Sequence, residues 1–219
     1  SLIPGDGIFY SIVDMKQDNG YGDIIEKNIP LEIPVPGKAM DKLTSVRHKN
    51  NRDIWFITRV FPGDKFISFL LNNEGIVPNC VVSTSFKWID ISTSTPWQNQ
   101  IFSELKISPD GKKMATGYDH MGLFEIGDFD IATGQYSHLF AVNPPDLCDT
   151  CIYTTCALEF SPNSKLLYVS SRWQNSFTEP FYQYDATISD SLEFSLSVRQ
   201  AGIGLAFGLQ IGPDGKIYG

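Results

Sequence analysis

The stretch that most constrains this chain is LKISPDGKKMATG, Leu105 to Gly117, because it recurs. Leu158 to Ser170 reads LEFSPNSKLLYVS and Leu209 to Gly219 reads LQIGPDGKIYG, with starts 53 and 51 residues apart. In each copy a few alternating apolar residues lead into a turn and then a second alternating run, the pattern of two half-buried strands joined tightly. Pro109-Asp110-Gly111 carries the turn chemistry: Pro presets φ, Asp bonds its own backbone, and Gly accepts positive φ. A looser copy, HKNNRDIWFIT from His48 to Thr58, puts Asn50-Asn51 at the turn. A period of about 50 residues, each holding four short strands, is the signature of propeller blades. A β-sandwich also uses short strands and regular turns, but it does not repeat one strand–turn–strand sequence at a fixed period.

The expected fold is therefore all-β, a β-propeller of four-stranded blades. A half blade covers residues 7–33, with a Gly-rich turn near Asn19 to Gly22 and Pro30, Pro34 and Pro36 leading out of it. Whole blades cover about 41–92, 102–142 and 156–198, and a second half blade covers 204–219. The fourth strand of the first blade is placed near 76–83. No segment shows sustained helical periodicity. The chain begins without Met and stops inside a blade, so it is expected to be an incomplete portion of a larger propeller, truncated at both ends. A compact four-blade ring closed by its two half blades is the competing arrangement.

Charge narrows the partners. The 219 residues carry 17 basic and 25 acidic side chains, a net charge of −8, which disfavours a nucleic-acid or anionic-lipid surface. No apolar run approaches the roughly 18 residues of a membrane span.

Three of the four cysteines, Cys148, Cys151 and Cys156, fall in DLCDTCIYTTC, on the crossing between the second and third whole blades. A CxxC with a third Cys could hold zinc or run redox chemistry, but no His lies in the stretch and no helix start is present. A disulfide pinning a surface loop of an exported protein is the favoured reading, Cys148–Cys151 first and Cys148–Cys156 next. Cys156 aligns with Ser103, which also allows it to be a buried free thiol.

Motifs of catalysis are sparse. His48 sits by a turn, His120 lies in a loop, and His138 alternates with Tyr136 and Phe140, which predicts a half-buried packing role. No G-x-S-x-G or phosphate-cradling loop occurs. Asp128 and Asp130 share a strand face; they could hold calcium or do acid–base work, but such a pair more often brackets a hairpin in solvent. Trp97 and Trp173, read as lying in polar loops beside Asn and Gln, are candidate ligand platforms for a glycan or peptide, with capping of an inter-blade seam as the alternative. Asp190-Ser191-Leu192 fits a short acidic-Ser-aliphatic pattern that Bacteroidota use for O-glycosylation, at Ser191. No cofactor and no metal site is predicted.

Taken in order, IFYSIVDM, GYGDIIEKNIPL, KLTSVRHKNNRDIWFITR, LKISPDGKKMATG with LFEIGDFDIATGQ, LEFSPNSKLLYVSS with FYQYDA, and LQIGPDGKIYG resemble the N-terminal propeller region of large Bacteroidota surface proteins. Those proteins carry a C-terminal type-B sorting domain of the type IX secretion system, also called the gliding-motility-associated domain. Single elements such as SPDGKK also occur in TolB-like and lactonase-like propellers. The resemblance implies export and display or release at the cell surface, and it transfers no catalytic residue. The resulting expectation is a non-enzymatic extracellular module for adhesion, gliding-associated assembly, or binding of a protein or polysaccharide. The alternative is an extracellular hydrolase or lactonase with a metal in the central channel. That alternative needs inward carboxylates at the starts of the inner strands, where Leu43, Leu105, Leu158 and Leu209 are apolar.

Overall fold

The computed structural model describes residues 7–89, 103–118, 122–145, 153–173, 179–204, 206 and 208–219. Its strands form successive antiparallel sheets in chain order. A two-stranded sheet pairs β1 (Phe9–Asp14) with β2 (Asp23–Pro30). The first whole sheet contains β3 (Lys38–Arg47), β4 (Ile54–Phe61), β5 (Gly63–Asn72), β6 (Gly75–Ile76) and β7 (Val81–Ile89). Here β6 and β7 both pair with the same edge of β5, so the outermost strand is split in two. Pro78, which has no N–H to give to a ladder, lies in the gap between them.

The second sheet runs β8 (Leu105–Ile107), β9 (Lys113–Tyr118), β10 (Leu123–Asp130) and β11 (Gln135–Val142). The third runs β12 (Tyr153–Phe160), β13 (Leu166–Trp173), β14 (Glu179–Asp185) and β15 (Arg199–Gly204). A final pair joins β16 (Gln210–Ile211) and β17 (Ile217–Tyr218). One short helix, α1 (Ser191–Leu196), precedes β15. Among the described residues no helix is long and apolar enough to cross a membrane.

The repeated turn has one construction. Ser108 Oγ donates to Asp110 Oδ1 at 2.7 Å and accepts from Lys113 N at 2.9 Å. Ser161 and Asn163 repeat both contacts, with Leu166 N as the second donor. The equivalent turn positions, Asn51, Gly111, Ser164 and Gly215, have φ of 58°, 74°, 60° and 75°. The left-handed corner is thus built from three residue types, Gly at no steric cost and Asn at little.

The core lies in the seams between sheets. Trp55, Ile57 and Phe66 of the first sheet meet Leu105, Met114, Phe129 and Tyr136 of the second. Ala115, Phe124 and Ile126 turn the other way, onto Leu158, Leu167, Val169 and Tyr184 of the third. Consecutive residues such as Met114 and Ala115 therefore enter different seams, and both faces of an inner sheet are buried. Phe194 of α1 is fully buried and stacks on Tyr184, with centroids 5.1 Å apart and planes at 6°. The hairpin tip after β10 docks on the first sheet: Trp55 Nε1 donates to Ile131 O at 2.9 Å, and Gly134 lies so close that a Cβ there would sit 2.8 Å from the Trp55 ring.

Candidate functional site

The first strands of the whole sheets lie side by side: β8 packs against β3 on one flank and β12 on the other. The turn motif sets the register of each, so equivalent positions from neighbouring repeats converge at this inner edge. Lys106, Glu159 and Gln210 are such equivalents, spaced by the same 53 and 51 residues as the repeats. They line a cavity of about 550 Å³ together with Lys42, Ser103 and Glu104.

The Lys106 ammonium is at the centre. Its Nζ donates to Leu209 O at 2.6 Å, to Glu159 Oε2 at 3.1 Å and to Gln210 Oε1 at 3.3 Å, and lies 3.3 Å from Glu104 Oε1. Glu104 Oε2 accepts from Leu158 N at 2.7 Å and Leu209 N at 3.3 Å, which holds the carboxyl in place from two sheets. Glu159 Oε1 accepts from Phe160 N at 2.9 Å. The Glu159 side chain is 5% exposed, that of Glu104 23%. Burial pushes the Glu104 carboxyl above the usual carboxylate range, against the opposing pull of the Leu158 N–H and the Lys106 charge. At one edge of the cavity Lys42 Nζ donates to Ser103 Oγ at 2.6 Å and to Gly117 O at 2.9 Å.

None of these residues was singled out from the sequence. The apolar positions Leu105, Leu158 and Leu209 do face a seam, but the polar positions beside them line the cavity. Stacking the three repeats in register shows Lys, Glu and Gln in one column, the signal that would have found them.

Those residues expected to carry function that the structure describes lie elsewhere. Trp97 falls outside the described residues, as do His120, Cys148 and Cys151. Trp173 is not in a loop: it is the last residue of β13 and pairs with Tyr153. The ladder continues to it because β12 begins at Tyr153, earlier than the repeat alone implies. Cys156 lies within β12, its backbone alone described. Cys80, between β6 and β7, is a free, half-buried thiol whose pKa burial raises. Ser191 is the exposed first residue of α1, and Asp190 is its N-cap, accepting from Leu192 N and Glu193 N at 3.0 and 2.9 Å.

His138 departs from its expected packing role. β10 pairs Ile126 with Phe140 but Asp128 with Ser137, so β11 carries one extra residue there. His138 takes φ of 48° at this bulge, leaves the face of Tyr136, and stands exposed 3.2 Å from Asp128 Oδ2. Asp128 also accepts from Lys113 Nζ at 2.7 Å. Asp130 holds its own hairpin through Ala132 N and Thr133 Oγ1, contacts that lower its pKa. Among the described residues no three His, Cys, Asp or Glu side chains are grouped to hold a metal ion.

No family model and no curated protein matches the chain. Solved structures do. A candidate 6-phosphogluconolactonase of Bacteroides uniformis superposes with a TM-score of 0.52 at 14% identity, over 94% of this chain and 55% of its own. A protein of Lactobacillus plantarum gives 0.56 at 13% identity, over 93% of this chain and 55% of its own. The chain thus spans about half the length of these structures. The likeness establishes the all-β, propeller-type fold. The expectation of a module without catalysis is corrected to this extent: the scaffold is shared with a candidate lactonase.

Proposed function

We propose that this chain forms part of a propeller hydrolase acting on lactones or related esters in the inner-strand cavity. The observation that carries the reading is the convergence of Glu104, Lys106 and Glu159 from neighbouring repeats in one cavity. The fold likeness to a candidate lactonase supports the choice of reaction class.

The roles follow from the geometry. Glu104 is the more exposed carboxyl, is held by two backbone N–H groups, and has a pKa raised by burial, the direction that suits a general base. It takes a proton from a water whose oxygen attacks the lactone carbonyl. The ring C–O bond then breaks, and the proton returns from Glu104 to the departing ring oxygen, giving a hydroxy acid. Lys106 places positive charge where the carbonyl oxygen gains negative charge. Glu159, buried against Lys106, fixes the direction of the ammonium. A setting outside the cell is part of the proposal and rests on the resemblance to exported surface proteins.

The test is hydrolysis of a panel of γ- and δ-lactones and simple esters followed by pH-stat. Glu104→Gln should lower kcat by about 10²–10⁴-fold, the usual contribution of a positioned acid–base group, with KM little changed. Turnover no faster than in buffer, or a Glu104→Gln variant as active as the parent, would remove the proposal.

A further inference from the structure

The alternative weighed from the sequence placed a metal ion in the central channel. With the Lys106 ammonium among them, the residues present do not fit one. We propose that the Lys106 ammonium is itself the resident cation of this cavity, occupying an oxygen cage that would otherwise take a divalent metal, so that the site is metal-independent.

Three observations support this. First, the cage has the donor set of a hard-cation site: carboxylate oxygens from Glu104 and Glu159, the carbonyl of Leu209 and the side-chain amide oxygen of Gln210. Second, Lys106 Nζ stands between all four, at 2.6 to 3.3 Å, although an ammonium has only three protons to give. Four acceptors around three donors is arrangement around a charge rather than one-to-one hydrogen bonding. Third, the repeat supplies the cage. Glu159 and Gln210 are the copies of Lys106 in the following repeats, so one position is basic in one blade, acidic in the next and a neutral oxygen donor in the third. A cation delivered on one side chain is thereby matched by ligands delivered at the same height on the others. The lysine stem is tethered at 15% exposure, so no free ion competes without displacing it.

The inference concerns the cage alone and borrows the hydrolytic reading only for its catalytic consequence. It predicts that removing the ammonium creates a calcium site. Calcium is titrated calorimetrically into the protein, into Lys106→Ala, and into Lys106→Ala/Glu159→Gln, each first checked by circular dichroism. The parent should bind no calcium at this cavity. Lys106→Ala should bind at least about tenfold more tightly than the parent, entering the roughly 10⁻³–10⁻⁴ M range of weak extracellular sites. The added Glu159→Gln change should abolish that gain. A folded Lys106→Ala variant with no gain overturns the inference. If that variant does not fold, the parent protein decides: calcium binding lost on Glu159→Gln overturns the inference, and its absence supports it. The calorimetric outcome is independent of activity. Lactone turnover abolished by a chelator and restored by calcium would overturn metal independence while leaving the hydrolytic reading intact, and absence of turnover would leave the calorimetric result standing.

Discussion

Replacing Arg59 by Met should destabilise the protein by about 3–5 kcal/mol, the usual cost of removing one partner from a buried charge network. Arg59 is fully buried in the seam between the first and second whole sheets. Its Nη1 donates to Tyr118 Oη at 2.6 Å, and that hydroxyl donates onward to Glu125 Oε2 at 2.7 Å. The same carboxylate oxygen accepts from Ser85 Oγ at 2.7 Å and Phe86 N at 2.9 Å. The guanidinium also lies over two rings, 4.8 Å from the Tyr118 centroid and 5.1 Å from that of Phe66. Met fills a similar volume but supplies neither charge nor donor. Glu125, 0% exposed, is then left as a buried anion without the nearby cation. Burial and the Glu125 charge already hold the Tyr118 hydroxyl far above its usual pKa, and a buried carboxylate facing only neutral donors is costly. With a urea slope of about 2 kcal/mol per molar, the midpoint should fall by about 1.5–2.5 M. Urea denaturation at neutral pH, read by tryptophan fluorescence, measures it. Arg59→Met/Glu125→Gln removes both charges and should recover part of the loss, so the two changes should be less than additive. An Arg59→Met loss below about 1 kcal/mol, or a double variant no better than the sum of the singles, would refute the argument.

Two further outcomes are expected. Phe194→Ala removes a fully buried ring packed on Tyr184, Phe124 and Phe140 and should cost about 3–5 kcal/mol, lowering Tm by roughly 8–15 °C; a calorimetric shift under about 3 °C would deny α1 its role as a plug for the seam. Glu104 has a folded-state pKa above its unfolded value, so its contribution to stability is full below the usual carboxylate range and is lost as the pH rises through the raised value. As the pH rises from the usual carboxylate range through that raised value, the parent should therefore lose stability relative to Glu104→Gln, and parallel denaturation midpoints for the two proteins would contradict the raised pKa.

The propeller-type architecture was legible from the sequence because its determinants are local. A turn such as Pro109-Asp110-Gly111 is specified by the residues within it, and alternation of apolar residues specifies a strand with a buried face. Repetition at a fixed spacing then implies repeated sheets. The split of the outer strand at Pro78 has a local cause as well. The bulge at His138 does not: the sequence there alternates normally, and only the pairing of β11 with β10 shows that one residue has been set aside.

The cavity belongs to the structure. Glu104, Lys106, Glu159 and Gln210 are ordinary polar residues flanking apolar ones, up to 106 positions apart, and nothing within reach of any one of them marks a site. They become one because the inner strands of successive sheets lie edge to edge, which brings the same register position of each repeat to the same place. The buried Arg59–Tyr118–Glu125 chain is similar: each member sits on a strand that reads as core, and each bonds to a partner from another strand. Local sequence determines turns and faces, because those depend on neighbours a few residues away. Which charge meets which depends on how sheets stack, and that is settled only when the seams between them close.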